Sequence, residues 1–113
     1  MSKLRLTLSC WNYDRVHALM DGSVQPEGID LNFLNLPVEE TFFRQLRNRE
    51  FDVAEMSSSE YISHVCAGNS PFVAIPVFPS RVFRHSFICY NVDAGIRTAK
   101  DFEGRRIGVP LYT

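Results

Sequence analysis

Hydrophobic and polar residues follow two different repeats along this chain. Leu4, Leu6 and Leu8 are separated by polar residues, and this two-residue repeat predicts a first β-strand. Similar alternation or short apolar runs predict further strands at 29–36, 51–56, 72–78, 86–91 and 106–109. The run at 72–78 is almost continuously apolar, which is typical of a strand covered on both faces.

Stretches with a helical repeat lie between these strands. A first helix is predicted after Asp14, a candidate N-cap, and the turn at 25–28 separates it from the next strand. A second helix is predicted after Pro37, and a third after the serine run 57–59. The predicted inner faces are apolar: Val38, Phe42, Phe43 and Leu46 in the second helix, and Tyr61, Ile62, Val65 and Cys66 in the third.

Strands that alternate with single helices predict a chain of β-α-β units. The expected fold class is therefore α/β, with a mainly parallel sheet flanked by helices. In such sheets ligands bind beyond the carboxyl ends of the strands. This rule places the candidate site in three loops, at 11–14, 56–60 and 79–85.

The charge balance, the apolar runs and the cysteines bear on which partners and which cellular compartment are expected for this protein. A net charge of −1 over 113 residues offers no excess positive field for nucleic acid. No apolar run approaches the ~20 residues that a membrane span needs. Lys3 and Arg5 interrupt the would-be apolar part of a secretion signal, so we expect a cytoplasmic protein with no membrane partner. Cys10, Cys66 and Cys89 match neither a disulfide framework nor a zinc pattern, and are expected to be buried or half-buried free thiols.

Several longer motifs resemble one family. They are Tyr13-Asp14-Arg15, Pro26-Glu27-Gly28-Ile29-Asp30-Leu31, Glu50-Phe51-Asp52-Val53-Ala54-Glu55-Met56-Ser57, Phe72-Val73-Ala74-Ile75-Pro76-Val77-Phe78-Pro79-Ser80-Arg81, Phe83-Arg84-His85-Ser86, Asp93-Ala94-Gly95-Ile96, and Asp101-Phe102-Glu103-Gly104-Arg105-Arg106-Ile107-Gly108-Val109-Pro110. Together they resemble the opening of the 4,5-dihydroxyphthalate decarboxylases. The ending at 101–110 is shared by many type II solute-binding proteins, whereas the block at 78–86 is much narrower and favours the decarboxylases.

The resemblance implies a type II periplasmic-binding-protein-like fold, in which two lobes enclose a cleft. On this basis we expect residues 1–91 to form a first α/β lobe. Residues 92–113 are expected to supply the crossover and the first strand of a second lobe. Members of the family are considerably longer, so the chain resembles an amino-terminal fragment truncated at the start of that lobe. We expect the fragment itself to be inactive.

The resemblance also implies a cofactor-independent decarboxylation in phthalate degradation, from 4,5-dihydroxyphthalate to protocatechuate and carbon dioxide. Such an enzyme needs an anchor for the carboxylate that stays, a proton donor near the ring carbon, and a dry pocket. The expected partner is a small aromatic carboxylate. The resemblance implies no cofactor, and no metal is expected, because no residues have the spacing of a metal-ligand cluster. A homo-oligomer is left open.

Arg81 and Arg84 are candidates for the carboxylate anchor, because a guanidinium grips a carboxylate through two parallel hydrogen bonds. The alternatives are an exposed pair on a loop or a bridge between lobes. His85 is the candidate general acid, since an imidazole can give and take a proton near neutral pH. The alternative is a histidine that orders the loop through a backbone hydrogen bond. For His17 and His64, in predicted helices, a structural role is preferred.

Hydroxyl and carboxyl groups supply the other candidates in these loops. Ser57, Ser58 and Ser59 can donate to a ligand beside the backbone N–H groups of a helix start, or can cap that helix. Ser80 is a further candidate for substrate binding. Glu55 is the second candidate catalytic residue, because a carboxylate can accept a phenolic proton.

Aromatic residues complete the candidate set. Tyr13 and Trp11 can stack on an aromatic ring, with core packing as the more frequent alternative. Asp14 can also accept a phenolic proton, although the helix cap is the preferred role.

A rival function comes from another class of protein. The same fold serves as the binding component of ABC transporters, and it can equally form a cytosolic ligand sensor. Both of these return their ligand unchanged, whereas a decarboxylase releases carbon dioxide. The product therefore discriminates between the enzyme and its rivals.

Overall fold

A computed structural model describes residues 2–83 and 87–109 of the chain. Its strands are β1 (Leu4–Cys10), β2 (Ile29–Asn35) and β3 (Val53–Ala54). Its α-helices are α1 (His17–Met20), α2 (Val38–Asn48) and α3 (Ser58–Cys66). Short 3-10 turns cover Asp14–Val16, Val92–Ala94 and Ala99–Phe102.

The strands form a parallel sheet in the order β2-β1-β3. β1 pairs with β2 along its whole length, from Leu4 opposite Ile29 to Cys10 opposite Asn35. Along the chain, α1 lies between β1 and β2, and α2 lies between β2 and β3, as expected for β-α-β units. The predicted α/β class with a parallel sheet is therefore confirmed.

The third strand is shorter than the predicted 51–56, because a side chain takes the place of one backbone partner. The Asp52 carboxylate accepts a hydrogen bond from the backbone N–H of Thr7, with an N–O distance of 2.8 Å. Strand pairing then begins with Leu8 opposite Val53. One residue beyond the strand, the N–H of Glu55 still donates to the carbonyl of Ser9 at 3.0 Å. β3 thus brings Glu55 alongside the carboxyl end of β1.

The buried residues of helix α2 are polar. Thr41 and Ser9 are fully buried, and their hydroxyl oxygens are 2.8 Å apart. The buried amide of Gln45 donates to the carbonyl of Phe51 at 3.1 Å and accepts from its N–H at 3.0 Å. The predicted inner face is wrong at Phe43, which is 62% exposed. Polar residues can occupy the inner face because each finds a hydrogen-bond partner there.

The predicted cap at Asp14 is wrong. Tyr13 occupies the N-cap position of the 3-10 turn, and Asp14 is the first residue inside that turn. The Asp14 carboxylate accepts instead from the N–H of its neighbour Arg15, at 2.9 Å. The chain thus enters α1 through a 3-10 turn rather than a side-chain cap. Tyr13 directly precedes this turn, and Arg15 is its middle residue.

Helix α3 begins where it was predicted, but its apolar side is exposed. Ser57 is the N-cap residue, although its side chain makes no cap hydrogen bond. Ile62 is 58% exposed and Val65 is 49% exposed, and Cys66 is exposed as well. The predicted inner face is therefore wrong for these residues. A helical repeat identifies an apolar face but does not supply the surface that would cover it.

The apolar run at 72–78 does not form the predicted strand. Val73 is 92% exposed, and within the described residues no strand pairs with this run. The N–H of Ala74 donates to the hydroxyl of Tyr61 at 3.3 Å, which ties the run to α3. An apolar run is compatible with a buried strand, but a strand also needs a neighbouring edge for its backbone hydrogen bonds.

The chain divides into two compact units, Met1–Ser80 and Arg81–Thr113. The first contains the sheet and the α-helices. The second contains two of the 3-10 turns, and Thr98 and Asp101 form a capping box at the start of the later one. The strands predicted at 86–91 and 106–109 are absent from the described residues of this unit. The predicted lobe boundary after residue 91 stays a prediction.

The helices in the described ranges are short. The longest, α2, has 11 residues. Nowhere in residues 2–83 or 87–109 is a helix both long enough and apolar enough to cross a membrane.

Candidate functional site

Three segments of the first unit meet beyond the carboxyl ends of β1 and β3. The parallel register sets Ser9 opposite Ala54, so the next residues, Cys10 and Glu55, also lie side by side. Tyr13 reaches Glu55 from the loop after β1, and Ser80 reaches Tyr13 from the segment before the end of the unit. Each of these segments lies in or next to one of the loops selected from the sequence. The cluster of Cys10, Tyr13, Glu55 and Ser80 is hereafter called the strand-end cluster.

Glu55 is the centre of this cluster. One carboxylate oxygen accepts from the backbone N–H of Trp11 at 3.2 Å, and the other accepts from the thiol of Cys10 at 3.7 Å. The hydroxyl of Tyr13 donates a further hydrogen bond to the same carboxylate. Glu55 therefore holds the loop after β1 against the end of β3 through backbone and side-chain donors.

The environment of Glu55 shifts the pKa of its carboxyl upward. Burial raises the pKa of the Glu55 carboxyl, and the hydrogen bonds from Tyr13, Trp11 and Cys10 oppose that rise. A carboxylate with a raised pKa is a better proton acceptor than a free one. Glu55 is thus suited to exchange a proton with a bound ligand.

Tyr13 stays protonated over the physiological range. Burial and the neighbouring Glu55 raise the pKa of the Tyr13 phenol to about 12, and the hydrogen bond with Ser80 acts in the opposite direction. The phenol therefore donates to Glu55 while its oxygen is bonded to Ser80. This gives a continuous series of hydrogen bonds from Ser80 through Tyr13 to Glu55, in which each bond polarises the next.

Cys10 contributes packing and a weak hydrogen bond rather than a nucleophile. It is 3% exposed, and burial, reinforced by Glu55, raises the pKa of its thiol to about 12. The predicted buried free thiol is confirmed here. The same prediction is wrong for Cys66 and Cys89, both of which are exposed.

Arg15 holds the segment that carries Ser80. One terminal nitrogen of its guanidinium donates to the carbonyl oxygen of Pro79, and the other lies 3.4 Å from the Asp14 carboxylate. Sequence reasoning missed Arg15, although it belongs to a motif that was singled out. A clue was its place directly after Tyr13, where the chain leaves the end of a strand.

The serines predicted to bind substrate lie at the start of α3. The hydroxyls of Ser57 and Ser59 are 2.8 Å apart, while Ser58 is exposed in the first turn. The carbonyl of Ser57 accepts from the N–H of Tyr61 at 3.0 Å. The structure thus places the serine run at the helix start, and its substrate-binding role stays a prediction.

The remaining predicted residues lie elsewhere. Arg81 is exposed and begins the second unit. Arg84 and His85 lie outside the described residues, so their roles stay predictions. His17 and His64 lie in helices as predicted, and His17 is 3.3 Å from the Asp21 carboxylate.

Two cavities of the first unit lie away from the strand-end cluster. One, of about 100 Å³, is lined by Leu19, Val24 and Ile29 among others. The other, of about 570 Å³, lies along the first halves of β1 and β2, where Arg5, Asp30 and Asp52 face it. Across residues 2–83 and 87–109, no three His, Cys, Asp or Glu side chains gather as a metal ion would require.

Comparison with known proteins gives close relatives. No family model matches the chain. Over 112 residues, 99% of its length, it is 48% identical to a 4,5-dihydroxyphthalate decarboxylase from Comamonas testosteroni. Over 112 residues, again 99% of its length, it is 47% identical to a 4,5-dihydroxyphthalate decarboxylase from Pseudomonas putida. The chain spans 34% of the first relative and 43% of the second. The resemblance predicted from the motifs is thereby confirmed: 99% of this chain aligns with part of each of two 4,5-dihydroxyphthalate decarboxylases.

Proposed function

We propose that this chain supplies part of the active site of a carboxy-lyase that converts 4,5-dihydroxyphthalate to protocatechuate and carbon dioxide. The observation that carries the proposal is the identity of 47–48% to two decarboxylases over 112 residues. Because the chain spans less than half of each relative, the activity is assigned to the whole polypeptide that contains these residues. We expect the 113 residues by themselves to be inactive.

The fold of that polypeptide is proposed to be periplasmic-binding-protein-like. Support comes from the parallel order β2-β1-β3 and from polar residues gathered beyond the carboxyl ends of the strands. Ligands of open α/β sheets bind at such ends. Residues 1–91 would then belong to the first lobe, and residues 92–113 would lead into the second.

Glu55 is the proposed acceptor of a phenolic proton. In this reaction the ring carbon that bears the leaving carboxylate is protonated, and the hydroxyl para to it loses its proton to Glu55 as the ring accepts charge. The bond to the carboxylate then breaks, its electron pair restores the ring, and carbon dioxide leaves. Glu55 returns its proton to the phenolic oxygen. Its raised pKa supports this exchange, because a general base works best when its pKa lies near the operating pH.

Other roles in the proposal rest on the resemblance. His85 is the proposed source of the proton that the ring carbon receives. Arg81 and Arg84 are proposed to hold the carboxylate that remains on the ring. Tyr13 and the hydroxyls of Ser57, Ser58, Ser59 and Ser80 are proposed to contact the substrate.

The test is a product assay on the whole polypeptide. Purified protein is incubated with 4,5-dihydroxyphthalate, with and without a chelator, and carbon dioxide and protocatechuate are followed. We expect release that survives chelation. Glu55→Gln should lower kcat roughly 100-fold, the usual contribution of one acid–base group. Glu27→Gln, at an exposed turn, is the matched control and should leave kcat unchanged. Binding without release would overturn the proposal and favour a solute-binding protein.

A further inference from the structure

The segment at 71–80 contains no helix or strand, and side chains from other segments contact it at its middle and its end. Ala74 is bonded to the Tyr61 hydroxyl, and the carbonyl of Pro79 is bonded to the Arg15 guanidinium. Pro79 and Ser80 share a peptide unit, so the contact with Arg15 also fixes where the backbone of Ser80 begins. Ser80 in turn is bonded to Tyr13 in the strand-end cluster.

Arg15 has the right chemistry for this contact. A guanidinium presents its donors in a rigid fork, and here the fork spans the Asp14 carboxylate and the Pro79 carbonyl. Asp14 is the residue before Arg15 and lies in the same 3-10 turn, so its carboxylate orients the guanidinium of Arg15. Tyr13 precedes that turn directly. One short turn therefore presents both the phenol that Ser80 contacts and the cation that holds the segment of Ser80.

We propose that Arg15 is a positioning residue, which sets the Ser80–Tyr13–Glu55 hydrogen bonds by fixing the Pro79–Ser80 segment against the loop after β1. The expected effect of Arg15 on catalysis rests on the proposed function, whereas its effect on the Ser80–Tyr13–Glu55 hydrogen bonds does not. Arg15 acts through Pro79 and Ser80 and has no assigned contact with the substrate.

The structural part is tested on the 113-residue chain by NMR of tyrosines labelled at the ring carbon that bears the hydroxyl. The chemical shift of that carbon reports hydrogen bonding of the phenol, and Tyr13→Phe assigns the Tyr13 signal. In Arg15→Met we expect this signal and the Ser80 amide signal to move. In Arg15→Lys a smaller movement is expected, because an ammonium retains the charge but not the fork.

Arg5→Met is the matched control. Arg5 also pairs with a carboxylate, that of Asp30 at 3.2 Å, but it lies near the amino end of β1. Its replacement should leave the Tyr13 signal in place. A Tyr13 signal that moves no further in Arg15→Met than in Arg5→Met would overturn the proposal.

A measurement on the unaltered chain covers the case in which Arg15→Met does not fold. Guanidinium protons that donate to a carbonyl exchange with water more slowly than exposed ones. We expect the Arg15 Nη protons to exchange at least ~10-fold more slowly than those of Arg5. Equal exchange rates would contradict the contact with Pro79.

The catalytic part is tested on the whole polypeptide. There, Arg15→Met should lower kcat by roughly 10- to 100-fold with little change in KM, because misplaced groups slow the reaction more than they weaken binding. A higher KM with an unchanged kcat would contradict a positioning role. If the unaltered polypeptide releases no carbon dioxide, the proposed function fails while the NMR result still stands or falls separately.

Discussion

The hydroxyl of Tyr13 donates a hydrogen bond to the carboxylate of Glu55, joining the loop after β1 to the end of β3. Both groups are partly buried, and the pKa of each is raised by that burial. The phenol is a donor to Glu55 at neutral pH, so the pair lowers the cost of placing a carboxylate in a poorly hydrated position. The protonation state of Glu55 in the candidate site therefore affects how stably the loop after β1 is held against the end of β3.

Glu55 should make the first unit less stable as the pH rises. Its carboxyl pKa in the folded chain lies above the ordinary value of 4.5, so the folded state retains a proton that the unfolded state has lost. The stabilising contribution of protonated Glu55 is then fully present below that ordinary value and is lost as the pH rises through the folded pKa. The free energy of unfolding, measured in urea between pH ~4 and ~8, should show this fall.

Glu50 provides the opposite case in the same chain. The Arg44 guanidinium, 2.7 Å from one oxygen of Glu50, holds the pKa of that carboxyl below its ordinary value of 4.5. Glu55→Gln should remove the loss of stability at rising pH, whereas Glu50→Gln should leave it in place. Identical pH profiles for the unaltered chain and Glu55→Gln would contradict the assigned environment of Glu55.

Gln45→Leu should destabilise the first unit strongly. Leucine matches the size of the side chain but offers no partner for the buried N–H and carbonyl of Phe51. We expect a loss of about 3 kcal/mol in the free energy of unfolding, measured by urea titration. Gln25→Leu makes the same substitution at an exposed position and should change it by less than about 0.5 kcal/mol. Equal effects at both positions would contradict the role given to Gln45.

The buried hydroxyl pair of Ser9 and Thr41 should show strong coupling. Thr41→Val keeps the shape of the side chain but leaves Ser9 unpaired in a site without exposure, at a cost of roughly 1–2 kcal/mol. Ser9→Ala combined with Thr41→Val removes both polar groups, so the double variant should be more stable than the sum of the single effects predicts. Additive effects in this double-mutant cycle, measured by urea unfolding, would argue against a direct hydrogen bond.

Cysteine labelling should separate Cys10 from the other thiols. A pKa of about 12 in place of the ordinary 9.0 lowers the fraction of reactive thiolate about 1000-fold, and burial hinders access further. With iodoacetamide followed by mass spectrometry, the exposed Cys66 and Cys89 should react first, and Cys10 only once the chain is denatured. Labelling of native Cys10 at the rate of Cys66 would contradict its burial.

Local pattern was sufficient to predict β1, β2 and α2. β1 forms where the alternation of Leu4, Leu6 and Leu8 predicts it and is the middle strand of the sheet, although Leu4 is 61% exposed. Pro37 and the following glutamates marked the start of α2 correctly. The type of each of these elements follows from the side-chain spacing and the terminal residues within its own segment, which local pattern reports well.

The errors share a different cause. Phe43 was assigned to the inner face of α2 because it is apolar, yet Thr41 and Gln45 take that face through specific hydrogen bonds. The run at 72–78 was assigned as a strand although pattern says nothing of an available edge. In both cases the outcome depends on a specific hydrogen-bond partner, and hydrophobicity along the chain does not identify that partner.

The candidate site shows the same division. The rule for parallel sheets located the loops that carry Tyr13 and Ser80, and it drew attention to Glu55 beside them. The sequence did not reveal that Cys10 and Trp11 would share the Glu55 carboxylate, because this follows from the register of Ser9 with Ala54. Strand register is a property of the assembled sheet.

The contact between Arg15 and Pro79 joins residues 64 positions apart, and the contact between Trp11 and Glu55 spans 44 positions. Closing long loops requires a large loss of chain entropy before any contact forms, so such contacts form late during folding. The pairing of β1 with β2, by contrast, joins segments about half as far apart or closer, such as Leu4 with Ile29. We therefore expect folding to nucleate around β1 and β2, with the Arg15–Pro79 hydrogen bond among the last contacts to form. Weakening this hydrogen bond should accelerate unfolding while leaving the refolding rate nearly unchanged.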